Sequence, residues 1–170
     1  TVPMHVLITV TEEVGHGASH GLDRDVAELL SLDTAVVAPG QTSTEDAVSI
    51  VMQDSHGPFD YHLARRLSAL CKKHDIPYRR DVFDHYRSDA ASALEAGAAT
   101  RAALVGVGVD ATHGHERTHM DGIVALCRLL IAYATSPLTF TEWDAEPVGT
   151  LQDFPSSSVQ PAPHQPEMPQ

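Results

Sequence analysis

Apolar positions along the chain fall into short runs broken by glycine, proline and acidic residues, and their spacing predicts the elements. Met4 to Val10 ("MHVLITV") is rich in β-branched residues and predicts a buried strand. Asp23 to Leu30 carries Val26, Leu29 and Leu30 behind acidic residues, which predicts a short helix. Leu32 to Ala38 predicts a second strand, stopped by Pro39-Gly40, and Ala47 to Met52 a third. From Phe59 to His74 the apolar positions Tyr61, Leu63, Leu67, Leu70 and Cys71 predict an amphipathic helix, with Arg65, Arg66, Lys72 and Lys73 on its wet side. Ile76 to Tyr86 reads as extended. Ser88-Asp89 is placed to cap an alanine-rich helix, Ala90 to Ala96, that Gly97 ends. Arg101 to Val109 predicts a buried strand and Gly122 to Ala134 the last strong helix. Alternating strands and helices predict a layered α/β domain with a largely parallel sheet and helices on both faces. The pattern fades after Ser136. Residues 137–170 read as a polar tail, and Ser156 to Gln170 ("SSSVQPAPHQPEMPQ") is too rich in proline to build a core, so disorder is expected from about residue 155.

The 170 residues suffice for one domain with a real core, and the hydrophobic fraction of 42% is ordinary. The formal charge of -12 opposes binding to nucleic acid or an anionic membrane surface, and suits a site that collects divalent cations. Cys71 and Cys127 have no CxxC partner and are expected to act as small core hydrophobes in a reducing cytoplasm. The opening "TVPMHVLITV" has no basic region before its apolar run, so no secretory leader is expected. Ile123 to Ala134, interrupted by Arg128, is too short to span a bilayer.

Ligand-binding loops of open α/β sheets gather beyond the strand carboxyl ends. Four stretches there hold most of the candidate chemistry: Glu12-Glu13, Asp33, Arg87-Ser88-Asp89, and Asp110 to His119 ("DATHGHERTH"). Two adjacent carboxylates at a strand exit are either a solvated turn or a site in which one holds a cation and the other moves a proton. Three histidines, an aspartate and a glutamate within ten residues, directly after a buried strand, offer imidazole suited to zinc or cobalt. Asp33 is either a strand-edge charge or a ligand. A Ser-His-Asp triad is disfavoured, because no GxSxG nucleophile elbow occurs.

The segments "LITVTEEVGHGA", "LDTAVV", "YRSDAASALEAG" and "VDATHGHERTH", in that order, resemble the FrvX-like glutamyl aminopeptidases of metallopeptidase family forty-two, which include the tetrahedral (TET) aminopeptidases. "DSHGPFDYHL" and "VFDHYRSDAASALEAG" are similar to a bacterial subgroup associated with making the osmoprotectant N-acetylglutaminylglutamine amide. The resemblance covers about Thr1 to Ser136 and implies a zinc-peptidase (phosphorylase/hydrolase-like) fold. It implies a metallo-aminopeptidase using two divalent ions, zinc or cobalt, a peptide or peptide-like substrate, and a homo-oligomer in the full-length form. Residue by residue, it implies Glu12 as general base, Glu13 and Asp33 as metal ligands, and His113 as the late histidine ligand with His119 as its rival. His113 fits the spacing to the final helix better, although the family's His-Ser-Pro-x-Glu is here His113-Gly114-His115-Glu116. Ser88-Asp89 falls where the family has Gly-Thr-Asp, with Arg87 in place of the glycine, and takes a supporting role. The resemblance also implies an earlier histidine and a bridging aspartate. Thr1 stands only eleven residues before Glu12, so the expectation is the carboxyl-terminal part of a catalytic domain, over residues 1–136, that lacks its amino-terminal half. Two alternatives stay open: a non-catalytic fragment or binding module, and a hydrolase of a small peptide-like amide.

Overall fold

The computed structural model describes residues 3–98 and 100–140. The proline-rich stretch expected to be disordered lies outside those residues. Five strands, β1 (Glu28–Val36), β2 (Val48–Asp54), β3 (Gly57–Pro58), β4 (Tyr78–Val82) and β5 (Arg101–Val109), form one sheet. Three helices join it: α1 (Tyr61–Lys73), α2 (Asp89–Glu95) and α3 (Met120–Ala134). β5 sits between β1 and β2, pairing parallel with β1 over nine residues and antiparallel with β2, and β4 runs parallel to β2. The sheet is therefore mixed, not largely parallel. α1 reverses the chain so that β4 returns alongside β2, whereas β5 crosses to β2's other edge in the opposite direction.

Period-two alternation sorts the strands' apolar residues onto two faces. Val48, Ile50, Ala103 and Val105 meet Leu63, Leu67, Leu70 and Cys71 of α1 and Ala125 and Leu129 of α3. Val51, Ala102, Leu104 and Ala35 meet Ala90 of α2 together with Phe59 and Phe83. Helices thus cover both faces, as expected. α1 starts where Asp60 accepts a hydrogen bond from the Leu63 amide at 2.8 Å, and ends on Lys72 and Lys73, which suit the negative helix terminus.

Several expectations fail for definable reasons. Met4 to Val10 forms no strand: among the described residues it joins no ladder, and Val6, Ile8 and Val10 are exposed. β-branched residues favour an extended backbone, but only a neighbour's hydrogen bonds make it a strand. The helix expected over Asp23 to Leu30 is absent because Glu28, Leu29 and Leu30 pair with Arg101, Ala102 and Ala103, a nonlocal ladder that overrides local spacing. Cys71 is buried, and burial pushes its thiol up to about 12. Cys127, by contrast, is exposed on the outer side of α3 beside Ile123, Val124 and Ile131, so only one cysteine belongs to the core. No helix among the described residues is long and apolar enough to cross a membrane.

Candidate active site

Glu12–Val14 form a 3₁₀ turn that Gly15 closes with φ of 79°, a left-handed value that favours glycine. A second 3₁₀ turn, Gly17–Ser19, follows at once. Both turns are tied to α2. Asp89 Oδ1 accepts a hydrogen bond from the Ala18 amide at 2.9 Å, and Ser92 Oγ donates to the Gly15 carbonyl at 3.3 Å. A Cβ at Gly17 would overlap Asp89 Oδ1, so glycine is what lets the turn approach the carboxylate. The first turn of α2 therefore fixes where the tandem acids stand.

Asp33 lies within β1, paired with Gly106 of β5, and its Oδ1 accepts a hydrogen bond from the Thr34 amide at 2.7 Å. His113 comes from the loop after β5. That loop is closed by paired backbone bonds between Asp110 and Arg117, by Thr118 Oγ1 donating to the Gly108 carbonyl at 2.6 Å, and by Arg117 bridging Glu45 and Asp110. Inside it, Ala111 and His113 hold φ of 58° and 63°. The His113 amide donates to Glu116 Oε1 at 3.2 Å, and its Nε2 stands 3.2 Å from Glu13 Oε2. Among the described residues, no side chain bonds the Ala111 amide to offset its backbone strain. Ala111→Gly is expected to stabilise the fold by about 0.5–1 kcal/mol, read as a shifted urea midpoint at unchanged m-value.

Glu12, Glu13, Asp33 and His113 all line one cavity of about 240 Å³. His119 does not. It caps α3, its Nδ1 accepting from the Asp121 amide at 3.1 Å, so of these two histidines it is His113 that lines the cavity. Ser88 behaves differently from expectation. It is the residue before α2, but its Oγ donates to Asp54 Oδ2 at 3.2 Å instead of capping the helix.

The other walls include Asp54, Phe83, His85, Tyr86 and Arg87. Reading loops beyond strand carboxyl ends grouped Arg87 with the acids but missed Asp54, Phe83, His85 and Tyr86, because β2 and β4 run opposite to β1 and β5. Their ends lie at the other edge, and the cavity reaches across the sheet. The polar density of "DVFDHYRSD", after a short extended segment, was the available signal.

Crowding shows in the acidities. Burial, and then the charges of Asp33, Glu13 and Asp89, push the Glu12 carboxyl above its usual range, with His113 opposing. Asp33 is raised by burial first; the Thr34 amide pulls it back, while Glu13 and Asp89 push it further up. A raised folded-state value means that Asp33 favours folding most below the unfolded value, and that this contribution is lost as pH rises through the folded value. In chelator-treated protein, Asp33→Asn is accordingly expected to raise the melting temperature by about 3 °C at pH 7, and by less at pH 4. Thermal scans at the two pH values check both the sign and the trend.

Carboxylates plus imidazole are a donor set that suits zinc or cobalt, and a cation would relieve the crowding. Among the described residues no three such donors form a ready-made cage.

A sheet with helices on both faces and a carboxylate–imidazole cavity defines the class: a layered α/β domain. Solved structures share the fold. The Pyrococcus horikoshii TET1 peptidase, described as able to assemble into a tetrahedron or a large octahedral shell, superposes with a TM-score of 0.65 at 21% identity, over 74% of this chain and 39% of its own. Aminopeptidase APDkam598 of Desulfurococcus kamchatkensis gives 0.63 at 21% identity, over the same 74% and 39%. The model of the M42 glutamyl aminopeptidases matches residues 1–129, and the chain belongs to that family. Bacillus subtilis YhfE, which carries its aminopeptidase name provisionally, is 37% identical over 134 residues, 79% of this chain. The chain spans 39% of YhfE's length.

Proposed function

We propose that the intact protein is a metal-dependent aminopeptidase that hydrolyses amino-terminal peptide bonds with Glu12 as general base. The observation that carries this reading is the meeting of Glu12, Glu13, Asp33 and His113 in one cavity from three separate parts of the chain. Glu13, Asp33 and His113 would hold a divalent ion, zinc or cobalt, one of two in the intact protein. When bound, such ions acidify water and polarise a carbonyl. Glu12 takes the proton of the attacking water and returns it to the leaving amine. Its carboxyl, pushed above the usual range mainly by burial, is a better proton acceptor than an ordinary glutamate. His113 Nε2 stands 3.2 Å from Glu13 Oε2, so the two donors lie side by side at the same wall. The substrate's positively charged amino terminus would be drawn to the same wall. Self-association of the intact protein is part of the proposal, supported by the exposed apolar side of α3.

The test is cleavage of aminoacyl reporter substrates by the intact protein, with loss on chelation and recovery with zinc or cobalt. A second reading, a non-catalytic module, is favoured by the lack of a complete three-donor cage among the described residues. No bound metal by elemental analysis, together with no turnover, would establish it. Cleavage of an N-acyl dipeptide amide in preference to free amino-terminal peptides would instead point to the amide hydrolase.

A further inference from the structure

The general base has no tether of its own. Among the described residues, no hydrogen bond or ion pair holds the Glu12 carboxylate, whereas Glu13 has His113 at 3.2 Å. Where Glu12 stands is therefore set by its backbone, a three-residue 3₁₀ turn with few bonds of its own. Two side chains of α2 brace that backbone. Ser92 Oγ donates to the Gly15 carbonyl at 3.3 Å, and Asp89 Oδ1 accepts from the Ala18 amide at 2.9 Å. α2 is a firm support, because Ala90 is fully buried against Phe59, Phe83 and Leu104. Asp89 does not cap its own helix, and Ser88 before it is turned to Asp54. The Asp89 carboxylate instead takes the amide of a residue 71 positions away. Gly17 lies so close to it that any side chain there would collide. Ala18 is 4% exposed, so this bond is shielded from water.

We propose that Asp89 is a positioning residue for the general base: its bond to the Ala18 amide holds the two 3₁₀ turns so that Glu12 faces the cavity. This deepens the aminopeptidase reading and rests on it. A carboxylate that binds a cation is held by that cation, but one that only moves protons depends on its backbone. The role belongs to the acceptor oxygen of Asp89 and not to its charge. That charge adds to the crowding at Glu12 and Asp33, which a neutral acceptor would relieve. Asparagine keeps a carbonyl oxygen for the Ala18 amide, and alanine does not.

The experiment compares Asp89→Ala and Asp89→Asn with the wild type in the intact protein, below the melting temperature of each. On an aminoacyl reporter, Asp89→Ala is expected to lower kcat about 30-fold, with KM and metal content nearly unchanged. Asp89→Asn is expected to keep kcat within about threefold of wild type. Equal losses in the two variants would assign the effect to the charge and overturn the proposal, as would full kcat in Asp89→Ala. Gly17→Ala, which forces the turn off the carboxylate, is expected to reproduce the kcat loss. It should add little in the Asp89→Ala background, and fully multiplied losses would overturn the shared mechanism. Amide hydrogen exchange reads the turns without activity. The Gly15 and His16 amides bond within the first turn, to the Glu12 and Thr11 carbonyls at 2.7 and 3.0 Å. In Asp89→Ala these two amides and that of Ala18 are expected to exchange about tenfold faster, with Val105 of β5 unchanged. Faster exchange at Ala18 alone would show that Asp89 holds only the second turn, which overturns the proposal. If the wild-type protein turns over no aminoacyl reporter, the aminopeptidase reading fails separately, and exchange at Gly15 and His16 still decides whether Asp89 positions Glu12.

Discussion

Glu12→Gln in the intact protein is expected to lower kcat/KM on an aminoacyl reporter by about 10³-fold, while metal content and fold persist. Glutamine keeps the length and shape of the side chain. The turn that presents it is held by backbone bonds, with the Gly15 amide donating to the residue 12 carbonyl at 2.7 Å, and by the tie to α2. What is lost is the ability to take a proton. Glu13, Asp33 and His113 remain as donors, so elemental analysis is expected to find the same metal in the variant. In chelator-treated protein, stability is expected to rise slightly at neutral pH. The Glu12 carboxyl is raised above its ordinary value of 4.5 in the folded state, so its favourable contribution is present below that value and disappears as pH rises through the folded value. Removing the charge removes that loss. Near-normal turnover with metal bound would take the general-base role away from Glu12. A parallel Glu13→Gln variant separates the roles, because it is expected to lose metal as well as rate.

Local patterning located β2, β5, α1, α2 and α3 within a residue or two, because each buries a face whose spacing is visible in its own residues. β1 was half legible. Leu32 to Val36 read as strand, but Glu28 to Leu30 became strand only through pairing with Arg101 to Ala103, residues some seventy positions away. Met4 to Val10 failed for the converse reason, having strand composition without a neighbour among the described residues. The acidic side of the site was legible through a family resemblance joined to residue chemistry; Asp33 alone would have passed as a strand-edge charge. The opposite wall was legible only at Arg87-Ser88-Asp89, a candidate stretch in which Ser88 and Asp89 read as a helix cap, and Asp54 gave no signal. Their partners, His56, Ala18 and one another, are fixed by where β2 ends against α2, which no local period reveals.

That wall carries the second large effect: Asp54→Ala is expected to destabilise the domain by about 3 kcal/mol, lowering its melting temperature by about 10 °C. Asp54 is 2% exposed. Its Oδ2 accepts from the Ser88 amide at 3.1 Å and Ser88 Oγ at 3.2 Å, and its Oδ1 from the His56 amide at 2.9 Å. Ser88 is itself 1% exposed, so deleting the carboxylate strands an amide and a hydroxyl where water does not reach. Ser88→Ala keeps the amide bond and is expected to cost only about 1 kcal/mol. The double variant distinguishes this account from a simple cavity. Once Asp54 is gone, losing the stranded hydroxyl should cost nothing or give a small gain, so the two single effects should sum to more than the double. Additive losses in chemical denaturation would mean that the carboxylate and hydroxyl do not act as a pair.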